Sequence, residues 1–218
     1  MHQERLLILG LSEPTLTMIL DNLESCGRCP DIHVVNNLAR TDLQPFANPR
    51  FRVTMSEAAA HPDGPAEAFL GVNKPASKQV VFAAFAGRDL AFTSVVHRSA
   101  AISSTAVLGA GVHVNSLVSI AAHTTLARFV SLNRNVSVGH HVQVDEFATI
   151  NPGANIAGFV RIGARALIGM GVNVVDGVTI GADSVIGAGS LVTRDIPPGV
   201  VAYGQPCRIV RPNEAAWA

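Results

Sequence analysis

The sequence predicts an α/β, Rossmann-like N-terminal domain followed by an all-β left-handed parallel β-helix. From Val96 to Val192 an aliphatic residue recurs at every sixth position without a slip: Val96, Ile102, Leu108, Val114 and onward to Ile180, Ile186 and Val192. Before that stretch, short apolar runs alternate with helical patterns in a βαβ rhythm. A six-residue period fits neither the roughly 3.6 of an α-helix nor the roughly 2 of a flat strand. It is the period of a parallel β-helix built from hexapeptides. Three regions follow: a small substrate-binding domain over 1–94, the β-helix over 95–196 and a tail over 197–218.

Leu6–Leu9 reads as the first strand. Ser12 stands where a helix N-cap is expected, Pro14 suits the first turn, and Leu16, Ile19, Leu20 and Leu23 share one face, so a helix runs to about Ser25. Strands are expected at 32–35, 51–54 and 68–72, a helix over about 75–86, and an extended stretch at 93–96. Parallel α/β sheets gather ligands at the carboxyl ends of their strands. Gly10, Ser12, Asn36 and Asn73 are therefore candidate substrate-binding residues. Gly10 equally suits a tight turn, and Asn36-Asn37 a plain loop.

Seventeen hexads, three to a coil, make between five and six triangular coils. Residues i and i+18 then stack at the inter-strand spacing of about 4.8 Å. The aliphatic residue points inward, and a small or β-branched residue four places on (Ala100, Ala106, Val112) packs inside near a corner. Crossovers in such coils run left-handed, an exception to the usual rule for parallel strands. The rhythm ends after Val192, where Arg194-Asp195-Ile196-Pro197-Pro198-Gly199 breaks it. Coil arithmetic places Gly158 one coil beyond His140, and His141 one coil beyond His123.

Composition narrows function. Sixteen basic and sixteen acidic residues leave no net charge and no basic block, so no nucleic-acid partner is expected. No apolar run is long enough to span a bilayer. The opening Met1-His2-Gln3-Glu4-Arg5 and the short Leu6–Leu9 run do not make a signal peptide, so a cytoplasmic protein is expected. Cys26-Gly27-Arg28-Cys29 follows the first helix, away from the N-terminal dipole that favours a thiolate. Neither a redox role nor a zinc site is expected of it.

The stretches Val96-His97-Arg98-Ser99-Ala100, Asn135-Val136-Ser137-Val138-Gly139-His140-His141-Val142 and Phe147-Ala148-Thr149-Ile150-Asn151-Pro152-Gly153-Ala154 carry a family resemblance. So do the run from Val185 to Gly199 and Gly204-Gln205-Pro206-Cys207-Arg208. Together they resemble the hexapeptide acyltransferases, within them the sialic-acid O-acetyltransferase and nucleotide-aminosugar N-acetyltransferase group. That resemblance implies acetyl-CoA as co-substrate, a nucleotide-sugar acceptor, and a homotrimer with active sites between neighbouring β-helices. It departs at two places. The first strand-turn reads Leu9-Gly10-Leu11-Ser12-Glu13-Pro14, without the usual Gly-rich turn and histidine, and His141 stands where an acidic residue commonly follows the catalytic histidine.

On that resemblance His140 is the expected general base. It occupies the third place of its hexad, at an outward corner, and an imidazole suits proton removal from an attacking amine or hydroxyl. Gly158 lets a thioester approach the backbone, and its N–H is placed to meet the oxyanion. The resemblance further implies CoA contacts at Thr149, Gly158, Met170 and Ala188, with Arg208 as a phosphate partner. Met170 equally suits packing between subunits, and Arg161 and Arg165 flank the same region. Asp145 and Glu146 are candidates to orient the base. Transfer to a sugar hydroxyl and a β-helix scaffold without chemistry are the alternative readings. A zinc enzyme of the γ-carbonic-anhydrase type is disfavoured, because no histidine pair here is spaced five apart.

Overall fold

The computed structural model describes residues 5–36, 50–57 and 66–214. It begins with β1 (Arg5–Leu9), α1 (Glu13–Ser25), β2 (Asp31–Asn36), β3 (Val53–Glu57), β4 (Ala66–Leu70), α2 (Pro75–Ala84) and β5 (Leu90–Phe92). The five strands form one parallel sheet in the order β3-β2-β1-β4-β5. Alternation along β1 sends Leu6 and Ile8 to one face, against Leu16, Ile19, Leu20 and Leu23 of α1. Leu7 and Leu9 go to the other, against Val81 of α2 and Phe85 just beyond it. Ser12 occupies the N-cap position with extended backbone, although its side chain makes no capping bond.

The Rossmann-like expectation needs correction. Among the described residues there are two helices, too few to wrap a doubly wound sheet, and the second face of the sheet is completed by Phe129 and Phe147 from the β-helix. The architecture is a β-solenoid with a small parallel sheet docked on its flank. A βαβ rhythm reads the same in either case, because what covers the second face is a contact between segments far apart in sequence.

The hexads form seventeen two-residue strands, from β6 (Val95–Val96) to β22 (Leu191–Val192), each ending on its aliphatic residue. Every coil has three faces, opened in turn by β6, β7 (Ala101–Ile102) and β8 (Val107–Leu108). Each strand pairs in parallel with the one eighteen residues on, as in Ser119 with Ser137 and Ile120 with Val138. The interior is a column of Val, Ile, Leu and Ala side chains, nearly all without solvent contact. From Gly111 to Gly189 the second turn residue of each corner takes a left-handed φ, including the non-glycines Leu117, His123, Phe129, His141, Phe147 and Phe159. The chain closes with β23 (Val200–Tyr203) and β24 (Arg208–Pro212), which extend the first face.

The N-terminal sheet sits on the first face and on the corner between the third and first faces. Asn22 of α1 donates through Nδ2 to Val114 O at 3.2 Å and lies 3.0 Å from His113 Nε2. Lys78 of α2 is buried and donates to Phe129 O, Ser131 Oγ and Ala148 O at 2.9–3.1 Å, one acceptor for each ammonium hydrogen. Burial pulls the Lys78 amine below its ordinary range. The Thr149 hydroxyl donates to Asn73 O at 2.7 Å, tying the carboxyl edge of the sheet to the same face.

Burial, helped by the nearby Lys78 charge, lowers the His113 imidazole to about 3. The unfolded chain, with an ordinary histidine near 6.5, therefore takes up a proton that the folded chain refuses. This contribution to stability is complete above about pH 6.5 and is lost as pH falls toward 3, at up to about 1.4 kcal/mol per pH unit. Urea midpoints measured between pH 7 and 4 are expected to fall less steeply in His113→Gln than in wild type. Equal slopes would place the acid sensitivity on other groups.

Candidate active site

His140 and Gly158 share the corner between the second and third faces, where coils stack with the register of Val138 on Ile156. His140 is exposed and Gly158 is buried beneath it. A Cβ on residue 158 would lie 2.6 Å from His140 Cε1 and 2.9 Å from its Nε2, so the glycine makes room for the imidazole edge. The Gly158 N–H is not free: it donates to Asp176 Oδ1 at 2.8 Å. Asp176 stands one further coil along the same corner. Repeating the 18-residue step from Gly158 finds it, a step the sequence reading did not take.

The neighbouring positions carry rings. His123 and His141 are 4.8 Å apart between centroids, and His141 stacks on Phe159 at 5.0 Å with an interplanar angle of 17°. His140 meets both His141 and Phe159 edge-on, at 5.3 and 5.0 Å. The two Nδ1 atoms of His140 and His141 are 3.2 Å apart. Stacking of His123 on His141 follows from coil arithmetic; Phe159, the next member of that series, was missed. Glu146 pairs with Arg128 at a different corner, so it does not orient His140.

The remaining expected residues lie elsewhere. Met170 and Ala188 are exposed, one coil apart, at the corner between the first and second faces. Thr149 is buried on the first face, with its hydroxyl turned to Asn73 rather than to open groove. Gly10 has φ +74, its N–H donates to Val35 O at 2.9 Å, and its carbonyl packs so closely on Gly71 that a Cβ there would clash. Ser12 N–H donates to Gly71 O at 2.9 Å. Gly10, Ser12, the end of β2 and Asn73 therefore gather at one sheet edge; the Asn36 side chain lies outside the described residues, as does Asn37. Arg165 is engaged by Asp183, which raises its already high pKa, and Arg208 donates to Cys207 O at 3.0 Å. Among the described residues no group of three or more His, Cys, Asp or Glu is arranged to hold a metal ion, and no helix is long and apolar enough to cross a membrane.

A family model described as bacterial transferase hexapeptide (six repeats) matches residues 159–194. The whole fold matches PerB from Caulobacter crescentus, solved with CoA and GDP-perosamine: TM-score 0.84, 26% identity, 96% of this chain and 98% of that one. A mutant of perosamine N-acetyltransferase from the same organism, solved with the same ligands, gives a TM-score of 0.83 at 26% identity over the same shares. The chain is thus similar to bacterial hexapeptide transferases in sequence over residues 159–194, and to these Caulobacter structures in fold over nearly its whole length. The acetyltransferase domain of PglB from Neisseria gonorrhoeae, solved with acetyl coenzyme A, shares the fold at TM-score 0.84 and 22% identity, over 95% of this chain and 100% of that one. No curated protein sequence matches the chain.

In this hexapeptide-repeat chain, Gly158→Ala is expected to push the His140 ring aside while leaving the coil intact, since Gly158 does not use a left-handed φ. Turnover should fall about 10²-fold, the scale of a misplaced reacting group. Unchanged turnover with His140 in place in a crystal structure of the variant would contradict the close packing described here.

Proposed function

We propose that the chain transfers the acetyl group of acetyl-CoA to the amino group of a nucleotide-linked sugar. The observation that carries this is the His140 imidazole edge set against Gly158 at an open corner of the coil. The CoA and GDP-perosamine complexes of the similar Caulobacter enzyme support the choice of both substrates. The neutral acceptor amine attacks the thioester carbon and a C–N bond forms. The amine proton passes to His140 Nε2. Collapse of the tetrahedral intermediate breaks the C–S bond, and the departing CoA thiolate takes that proton back from His140. The Gly158 N–H meets the oxyanion once the thioester has displaced the Asp176 carboxylate from it.

The three-faced cross-section supports a homotrimer. The N-terminal sheet covers the first face, while His140 stands on the corner opposite that face, between the second and third. In one chain, therefore, the sheet edge bearing Gly10, Ser12, Asn36 and Asn73 and the base lie on opposite sides of the solenoid. A neighbouring copy brings its sheet edge to the base. The same packing sets the Met170–Ala188 corner of one copy along the CoA groove of the next. Both substrates are soluble, and the reaction belongs in the cytoplasm, where acetyl-CoA is available.

His140→Ala is expected to lower kcat by about 10²–10⁴-fold, the usual contribution of a general base, with the assembly unchanged by light scattering. CoA release measured with a panel of nucleotide amino sugars checks this, and wild-type turnover in the variant would remove His140 from the mechanism. Asp176→Ala frees the Gly158 N–H and is expected to lower KM for acetyl-CoA about 2- to 10-fold, the scale of one neutralised hydrogen bond, with kcat retained. A rise in KM would instead give the carboxylate a supporting part in binding.

A further inference from the structure

We infer that His141 is a positioning residue that selects the tautomer of His140. The inference rests on the reading of His140 as the base. The Nδ1 atoms of the two rings are 3.2 Å apart, and the contact is made by a single hydrogen, so one ring donates and the other accepts. The Nε2 and Cε1 edge of His140 faces Gly158, and its Nδ1 edge faces His141. A base working over Gly158 needs its lone pair at Nε2 and therefore its proton at Nδ1. His141 Nδ1 is then the acceptor, and His141 carries its own hydrogen on Nε2. Which nitrogen of an imidazole is protonated is set by the hydrogen bond that the other nitrogen makes.

The corner holds the acceptor in place. The His141 ring lies between His123 on one side and Phe159 on the other, the latter nearly parallel at 17°. Phe159 also meets His140 edge-on at 5.0 Å, so one ring sets the planes of both histidines. Left-handed φ values at His123, His141 and Phe159, of 59°, 57° and 58°, repeat from coil to coil and keep the three side chains in one stack. Without His141, the His140 proton is free to sit on Nε2, where the imidazole no longer accepts one.

Histidine-selective ¹⁵N labelling of the full chain reads the tautomer directly, with His140 signals assigned by their loss in His140→Ala. Wild type is expected to show His140 protonated at Nδ1 and bare at Nε2. His141→Leu removes the acceptor in a residue type that Leu117 shows to be tolerated in this left-handed turn. It is expected to shift the His140 proton toward Nε2 and lower kcat about 10²-fold with KM for both substrates unchanged. His141→Asp, with a carboxylate oxygen at the Nδ1 position, is expected to restore the Nδ1–H tautomer and most of kcat. His140 protonated at Nε2 in wild type, or wild-type kcat in His141→Leu, would overturn the inference. Loss of kcat in His140→Ala alone would still leave the proposed base standing, whereas full activity of His140→Ala would remove the base and leave the tautomer measurement to judge the hydrogen bond.

Discussion

The parallel pairing of each two-residue strand with the one eighteen residues later is the constraint on which the rest of the molecule depends. Such short strands hold little by themselves. Stacked in register, they pass every ladder hydrogen bond to the next coil and enclose a column of aliphatic side chains. A single added or lost residue would shift every later hexad by one place and turn its aliphatic residues out of the core. The unbroken period from Val96 to Val192 is what that intolerance looks like in sequence. Register also gives chemistry its geometry, because residues eighteen apart meet whatever their type. His140, Gly158 and Asp176 are one such set, and His123, His141 and Phe159 another.

Docking of the N-terminal sheet follows a different logic. Apolar contact through Phe129 and Phe147 supplies area, while three polar ties choose the place: Asn22 at His113 and Val114, Lys78 at three acceptors, and Thr149 at Asn73. A buried ammonium is costly unless every hydrogen finds an acceptor, so the sheet is held where the backbone carbonyls of Phe129 and Ala148 and the Ser131 hydroxyl converge. This fixes the carboxyl edge of the sheet on the first face and leaves the histidine corner open on the far side. In the proposed trimer, the division of one site between two copies would follow from how this buried lysine is satisfied.

At the histidine corner, small changes of side chain alter the electrostatics because the backbone is so regular. Glycine at 158 creates space, aspartate at 176 occupies the one N–H that faces that space, and a second imidazole stands beside the first. The ring stack is polar at its edges and apolar on its faces, which lets His141 be held by packing while its nitrogen remains available.

Much of this was legible in the sequence. The hexad period gave the coil, its core and the i to i+18 contacts, and so the stacking of His140 on Gly158 and of His123 on His141, because those relations depend only on counting. Helix α1 and the strands near it were readable from Pro14 and the spacing of Leu16, Ile19, Leu20 and Leu23. The Rossmann-like reading failed because the cover of the second sheet face comes from Phe129 and Phe147, far along the chain from the strands they cover, and no local pattern records that. Nor could counting show that Thr149 is turned to Asn73, that Asp176 holds the Gly158 N–H, or that the Nδ1 atoms of His140 and His141 meet. Periodicity specifies which residues share a corner; the rotamers they adopt there, and the face on which a separate sheet docks, are settled by hydrogen bonds and packing across the whole fold.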